Sequence, residues 1–178
     1  MKKISTKTFL TKRNFTIILM VLLFAWYQPY RILQVQGHSM EPTLLNNDLV
    51  VIKPFNGVIH RGDIIVTKDP SPDLDTNGNL IVVNNIIKRI KFLPDDVFYM
   101  SQINGVMNTS YSYDELKQKL SKSDLILIDG HYVGKIYKTR VDHNKCFLQG
   151  DNTNDSIDSR DFGPIDIKNI LYVVALKL

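Results

Sequence analysis

The 178-residue chain is predicted to be a mainly β protein, an antiparallel β-sheet domain with one small helix, preceded by a single N-terminal membrane helix. Three observations predict it. Residues 1–13 carry five cations and no acid, and an apolar run follows from Phe15 to Tyr27. Beyond Arg31, apolar residues come in short β-branched runs bounded by Asn, Asp, Gly and Pro. One segment alone, opening at Ser112, has helical spacing.

The tail comes first. Lys2, Lys3, Lys7, Lys12 and Arg13 belong to it, leaving 17 of the 22 basic residues against 18 acids in the rest of the chain. The pI of about 9.1 is therefore a property of the tail. The body has no basic excess from which to build a nucleic-acid face, and that class is excluded. The apolar run behind the tail rises roughly 20 Å as a helix, short of the roughly 30 Å hydrocarbon core. Asn14 and the stretch to Tyr30 bring the span to about 17 residues, the lower limit. Trp26, Tyr27 and Tyr30 sit where an interfacial aromatic belt belongs, and the preceding cations place the N-terminus in the cytoplasm. Ala25 is followed by Trp, Tyr, Gln and Pro, so the small residues of a signal-peptide cleavage site are missing and the anchor is read as uncleaved. The expected organisation is a tail over 1–13, an anchor over 14–30 and an extracytoplasmic β domain over 31–178.

In the body, strands are expected at 32–36, 49–52, 64–66, 80–83, 86–90, 125–128, 133–137, 146–148 and 170–176. The helix is expected from Ser112 as N-cap, with Glu115 at its third position and Leu116 and Leu120 one turn apart. The stretch 69–79 reads as a surface loop or hairpin tip, with Asn77-Gly78 favouring a tight turn. Asp73, Asp75, Asn77 and Gly78 match the first half of a calcium loop, but Asn84 stands where a bidentate Glu is needed. The segment from Asp151 fails too, with Ser156 in place of the required Gly. The lone Cys146 excludes an internal disulfide, no His pair stands at i, i+4, and no metal or cofactor is implied.

Four separated segments carry chemistry: Gly37-His38-Ser39-Met40-Glu41-Pro42-Thr43-Leu44, Arg61-Gly62-Asp63-Ile64-Ile65, Lys88 to Asp96, and Gly150-Asp151-Asn152 running through Ser156, Asp158, Ser159, Arg160 and Phe162 to Gly163. Hydrolysis of an amide needs a nucleophile, a base and donors for the oxyanion. Ser39 follows a strand and a glycine, and Lys88 closes an aliphatic run whose surface can strip its amine of water. A free lysine is almost wholly protonated at neutral pH, so a basic role requires such burial. His38 would point to the opposite face of an extended segment, and His60, His131 and His143 have no motif around them, so a Ser–His arrangement is disfavoured.

In motif order and spacing, and in the basic tail and anchor that precede the motifs, residues 10–170 resemble a type I signal peptidase (leader peptidase) of the compact Gram-positive sort. The resemblance implies a Ser–Lys dyad, with Ser39 as nucleophile and Lys88 as general base. Ser156 would orient the Lys88 amine, Asp158 and Arg160 would form a supporting ion pair, and Arg89 would pair with Asp151 beneath the site. The Ser39 backbone N–H would meet the oxyanion. A second donor that some members carry as a hydroxyl is lost at Gly37. The family's substrate lies as a strand between the segment before the nucleophile, Val35, Gln36, Gly37 and His38, and the segment before the lysine, Asn85 to Ile87. Val35 and Ile87, with Met40 beside them, would narrow the pockets to Ala at −1 and −3 of a secretory signal peptide.

Two departures stand out. The family's I-G-L-P-G-D reads Lys91-Phe92-Leu93-Pro94-Asp95-Asp96 here, losing both glycines, and the Arg after G-D-N is Thr153. The implied partners are signal-peptide-bearing precursors and the cytoplasmic membrane, with Met40, Leu44 and Leu45 resting on lipid, and no oligomer is expected. The rival reading is a non-catalytic assembly factor that binds an extended segment of a surface structure. A self-cleaving repressor with the same dyad would need a DNA-binding helix pair where this chain has its apolar run.

Overall fold

Short β-branched runs give short strands, and here they assemble into one large curled sheet with a smaller sheet against it. The computed structural model describes residues 14–20, 30–70, 73–74, 80–81, 85–103, 106–120, 124–128 and 131–178. For 73–74, 80–81, 125–128 and 131–134 it describes the backbone alone. The strands are β1 (Arg31–Gln34), β2 (Leu49–Pro54), β3 (Ile64–Lys68), β4 (Asp73–Leu74), β5 (Leu80–Ile81), β6 (Asn85–Phe92) and β7 (Val97–Ile103). They continue with β8 (Val106–Ser110), β9 (Leu125–Ile128), β10 (His131–Gly134), β11 (Ile136–Arg140), β12 (Lys145–Gln149), β13 (Ile165–Asp166) and β14 (Ile170–Lys177). The large sheet runs β1-β2-β14-β3-β6-β12-β13 and the smaller one β11-β7-β8, with hairpins β4-β5 and β9-β10 beside them. Every pairing is antiparallel.

Two apolar cores lie on opposite faces of the large sheet. In the register of β3 with β6, Ile65 opposes Lys88 and Val66 opposes Ile87. Successive side chains alternate faces, so these two rows point opposite ways. Ile65 packs with Ile90, Cys146, Leu148, Ile165, Ile170 and Val173. Val66 packs with Val35, Met40, Leu44, Val50 and Ile52. A third cluster of Phe92, Phe98, Val141 and Phe147 ties the small sheet to the large one, with Phe92 and Phe98 stacked at 4.0 Å between centroids.

Several sequence expectations need correction. The expected strand 133–137 is two strands broken at Lys135, and β7, β8 and β13 were not expected at all. The expected helix is α1 (Tyr113–Lys119): the Ser112 side chain accepts from the Glu115 backbone and Leu116 is fully buried. It is not the only helix among the described residues. A one-turn α2 (Ser159–Phe162) is closed by a capping box between Asp158 and Asp161, and a 3-10 turn follows at Ile167–Asn169. Met40 and Leu44 do not face lipid. They are 2% and 1% exposed, because the turn that carries them folds under the sheet, and only Leu45 stays outside.

At the N-terminus, residues 14–20 are helical and expose Phe15, Ile17, Ile18, Leu19 and Met20. The tail and residues 21–29 of the expected anchor lie outside the described residues, and no described helix is long and apolar enough to cross a membrane. Most of the loop compared with a calcium site also lies outside them. Its described ends pair as β4 and β5, a hairpin.

Candidate active site

The large sheet leaves one strand position open. β12 pairs with β6 only over Arg89 to Phe92, and β3 covers the other edge, so Asn85 to Lys88 keep a backbone edge without a ladder partner among the described strands. β1 pairs with β2 alone. The sheet curls so that β1 and this open half of β6 line one groove of about 540 Å³. Val35, Gln36, Gly37, Met40 and Ile87 line it, together with Ser39 and Lys88. Asn85 and Ile86, which belong to the segment 85–87 implied by the resemblance, also line it, as do Leu33, Gln34 and Val66, which were missed because alternation along a strand does not bring neighbouring residues to one groove.

Ser39 sits in a turn that the rest of the molecule holds from beneath. Gly37 takes φ +89°, a left-handed conformation open to glycine, and its N–H donates to Asn46 Oδ1 at 3.1 Å. That amide is therefore engaged away from the groove. Asn152 holds the other side: its backbone N–H donates to the Ser39 carbonyl at 3.0 Å and its side chain to the His38 carbonyl at 3.2 Å. Gly150 lies so close that a β-carbon there would stand 2.1 Å from Ser156 Oγ and 2.5 Å from the Ser39 carbonyl oxygen. The sequence had quoted Gly150-Asp151-Asn152 as a motif without a task for the glycine or the asparagine. They clamp the serine turn.

Lys88 stands at the boundary between the paired and open halves of β6, and it is 4% exposed. Its cross-strand neighbour is Ile65, and Ile90, two residues on, shares its face; both are fully buried. Burial lowers its pKa, against the opposing pull of the carboxylates of Asp158, Asp69 and Asp155. A second recess of about 450 Å³ adjoins the groove, and Ser39, Lys88, Gly37 and Ile86 line both.

The residues named as supporting groups stand close to one another. Asp158 is fully buried and Arg160 is 4% exposed, joined by two hydrogen bonds of 2.8 Å, so this is an interior pair and not a surface one. Arg160 also donates to the carbonyls of Thr153, Ser156 and Met107, which accounts for a guanidinium held out of water. The Ser156 hydroxyl donates to Asp158 at 2.9 Å and lines the recess with Lys88, its acceptor lone pairs left for another donor. Arg89 grips Asp151 through two bonds of 2.8 and 2.7 Å, reaches the Gly62 carbonyl at 2.8 Å and touches the Thr43 hydroxyl at 3.5 Å, tying the four motifs together. The His38 reading keeps its outcome but changes its reason. The segment is a turn and not extended, and the imidazole is bound at 2.7 Å by Glu41 on the rim. His60 and His143 pair with Asp63 and Asp95, while the side chain of His131 lies outside the described ones.

The two lost glycines have separate fates. Phe92 lies in a strand and fills the third core, where a glycine would leave a void. Asp95 takes φ +64°, its backbone N–H bonded to the Val141 carbonyl and its carboxylate to His143. A left-handed conformation costs an L-residue roughly 1 kcal/mol, somewhat less for Asp. Asp95→Gly is expected to stabilise the protein by about 0.5–1 kcal/mol, because the exposed His143 pair it removes is worth little. The readout is a higher denaturant midpoint at an unchanged slope.

The signal peptidase, peptidase S26 family matches residues 8–177. Signal peptidase I P of Bacillus subtilis subsp. natto is 30% identical over 168 residues, covering 90% of this chain and 83% of its own. Signal peptidase I of Bacillus caldolyticus is 31% identical over 147 residues, 77% of this chain and 72% of its own. Mitochondrial inner membrane protease subunit 1 of Mus musculus is 31% identical over 138 residues, 75% of this chain and 60% of its own. On a match that spans nearly the whole sequence, the chain belongs to the signal peptidase family, peptidase S26, whose signal peptidase I enzymes cleave signal peptides.

Proposed function

We propose that this enzyme cuts by a Ser39–Lys88 dyad after small residues at the end of a secretory signal peptide, held in the membrane by residues 14–30 with its β domain outside. The observation that carries the reading is a buried lysine lining the same two recesses as a serine whose turn is clamped from below. A precursor strand enters the groove between β1 and the open half of β6, where backbone groups and the side chains of Val35 and Ile87 meet it. Branched walls reject bulk and accept alanine at −1 and −3. The neutral Lys88 amine takes the Ser39 hydroxyl proton as the oxygen attacks the carbonyl carbon, and the Ser39 N–H receives the oxyanion. Lys88 then returns the proton to the leaving amine, and a water activated by the same amine hydrolyses the ester. Ser156, fixed by Asp158 and Arg160, keeps the amine aimed, and Arg89 with Asp151 supports the floor.

The exposed apolar side chains of helix 14–20, which join none of the core clusters among the described residues, support the anchor. The binder reading drew its motive from the two lost glycines. Phe92 and Asp95 are both accommodated, so nothing now favours it.

The test is cleavage of a peptide carrying Ala at −1 and −3 by the full chain in detergent micelles, beside Ser39→Ala. The substitution should lower kcat/KM at least about a thousandfold while leaving peptide binding within a few-fold. Equal cleavage by both proteins removes Ser39 as nucleophile. Binding without cleavage by the unaltered chain restores the binder.

A further inference from the structure

Ser39 stands between two peptide units, and Asn152 holds both. The Ser39 carbonyl accepts the Asn152 backbone N–H at 3.0 Å, and the His38 carbonyl accepts the Asn152 side-chain amide at 3.2 Å. The His38 carbonyl also accepts the Glu41 N–H at 3.1 Å, so both of its lone pairs are used. A peptide unit is planar and trans, so the His38 carbonyl and the Ser39 N–H point in opposite directions. Whatever holds that carbonyl therefore aims that N–H. Asn152 lines neither the groove nor the second recess, whereas Ser39 lines both. The carbonyl is thus drawn behind the cleft and the N–H is turned toward it. Among the described residues this N–H donates to no other group. The neighbouring Gly37 N–H is engaged on Asn46 and offers no substitute.

We propose that the Asn152 side chain is the positioning residue of the oxyanion site, fixing the direction of the Ser39 N–H before substrate arrives. The inference rests on the Ser39–Lys88 reading, in which that N–H receives the oxyanion. Such a donor is effective because it is aimed in advance at the place where charge develops. The Glu41 bond cannot supply this alone, because Glu41 belongs to the same turn and moves with it. Asn152 comes from a segment 114 residues away from His38, and that segment is itself fixed. The Gly150 N–H donates to Asp158 at 2.9 Å, and Asp151 is gripped by Arg89. Without the Asn152 amide the 38–39 unit can turn over. The His38 carbonyl would then replace the N–H and oppose the substrate carbonyl, oxygen against oxygen. The amide also polarises the unit, which makes the Ser39 N–H a stronger donor.

The experiment compares the full chain in micelles with Asn152→Ala and Asn152→Asp, which both keep the backbone bond to the Ser39 carbonyl. One probe is a cleavable peptide with Ala at −1 and −3. The other is the same peptide ended at −1 by a boronic acid. There the Ser39 oxygen adds to boron, its proton passes to Lys88, and a boron hydroxyl takes the place of the oxyanion. Asn152→Ala should lower kcat about tenfold to a hundredfold with KM within about threefold, less than the loss of a whole donor costs. Boronate affinity should fall by the same factor as kcat/KM, because the adduct resembles the transition state. Asn152→Asp keeps the shape of asparagine but offers the His38 carbonyl only acceptors, so its kcat should lie below that of Asn152→Ala. A packing role would reverse that order. Rates are taken per folded molecule, from urea melts of each protein, so partial unfolding does not decide the comparison. Three results overturn the proposal while the peptidase reading stands: both variants within about twofold of the unaltered kcat, an unchanged boronate affinity beside a fallen kcat, or Asn152→Asp faster than Asn152→Ala. Cleavage that survives Ser39→Ala, or none by the unaltered chain, overturns that reading and the inference with it.

Discussion

Lys88→Met is expected to lower kcat/KM at least about a thousandfold and, in the same protein, to raise stability. The activity loss follows from the proposed role of Lys88 as the base for Ser39. The stability gain follows from the site of removal. Lys88 is 4% exposed between Ile65 and Ile90, and burial lowers its pKa. The unfolded chain therefore holds a proton that the folded one releases over the window from the folded pKa up to about 10.4. Across that window wild-type stability climbs with pH, since the unfolded state binds more protons; below it the proton-binding difference vanishes and the penalty is at its largest. Methionine fills the same space without a charge to desolvate. The expected gain near neutral pH is on the order of 1–3 kcal/mol. Denaturant melts at several pH values check it: the variant should lie above wild type near neutrality and converge with it as pH rises. A variant less stable than wild type at neutral pH would show that the amine is not desolvated, and the basic role would go with it.

Arg160→Met is expected to destabilise the protein by about 3–5 kcal/mol, the usual cost of leaving a buried ion without its partner. Asp158 is fully buried, and Arg160 supplies two of its hydrogen bonds at 2.8 Å. Burial pushes the Asp158 carboxyl up, but the bonds from Arg160 and the Gly150 amide outweigh it and hold the group below its ordinary value. That contribution is complete above the unfolded carboxylate pKa of about 3.9 and is lost as pH falls through the folded value. The variant should unfold at a lower urea midpoint near neutrality, and its deficit should shrink in acid as Asp158 takes up a proton. Adding Asp158→Asn should recover part of the loss, because no lone charge then remains inside. An unchanged midpoint for Arg160→Met would mean that the pair is not closed off from water.

How much of this was readable in the sequence depended on whether a residue's task is local. The Ser112 cap and the buried Leu116 follow from spacing within one turn, and both are present. β6 was legible because Ile86, Ile87 and Ile90 are β-branched, although its ends were not. β7 was missed because Val97–Ile103 breaks the apolar alternation with a polar residue inside: Ser101 is fully buried, satisfied by the Lys135 carbonyl. α2 is too short for periodicity, and its signal was the Asp158–Asp161 box alone. Hydrophobicity identified Met40 and Leu44 as buried in something; only the path of their turn decides between lipid and core. At the site, the motifs brought forward the residues that now converge, but not the close approach at Gly150, which leaves no room for a β-carbon, or the second recess that adjoins the groove. Those depend on which loops meet, a tertiary fact that no single segment carries.

The half-paired β6 has a consequence for timing. If the precursor pairs with that open edge as proposed, only a stretch that has no structure of its own can be read. Four such residues need about 13 Å of naked chain. A passenger that folds tightly right up to its junction would hide that stretch, so the cut competes with folding, and polar, slow-folding leaders to the mature protein would be processed soonest.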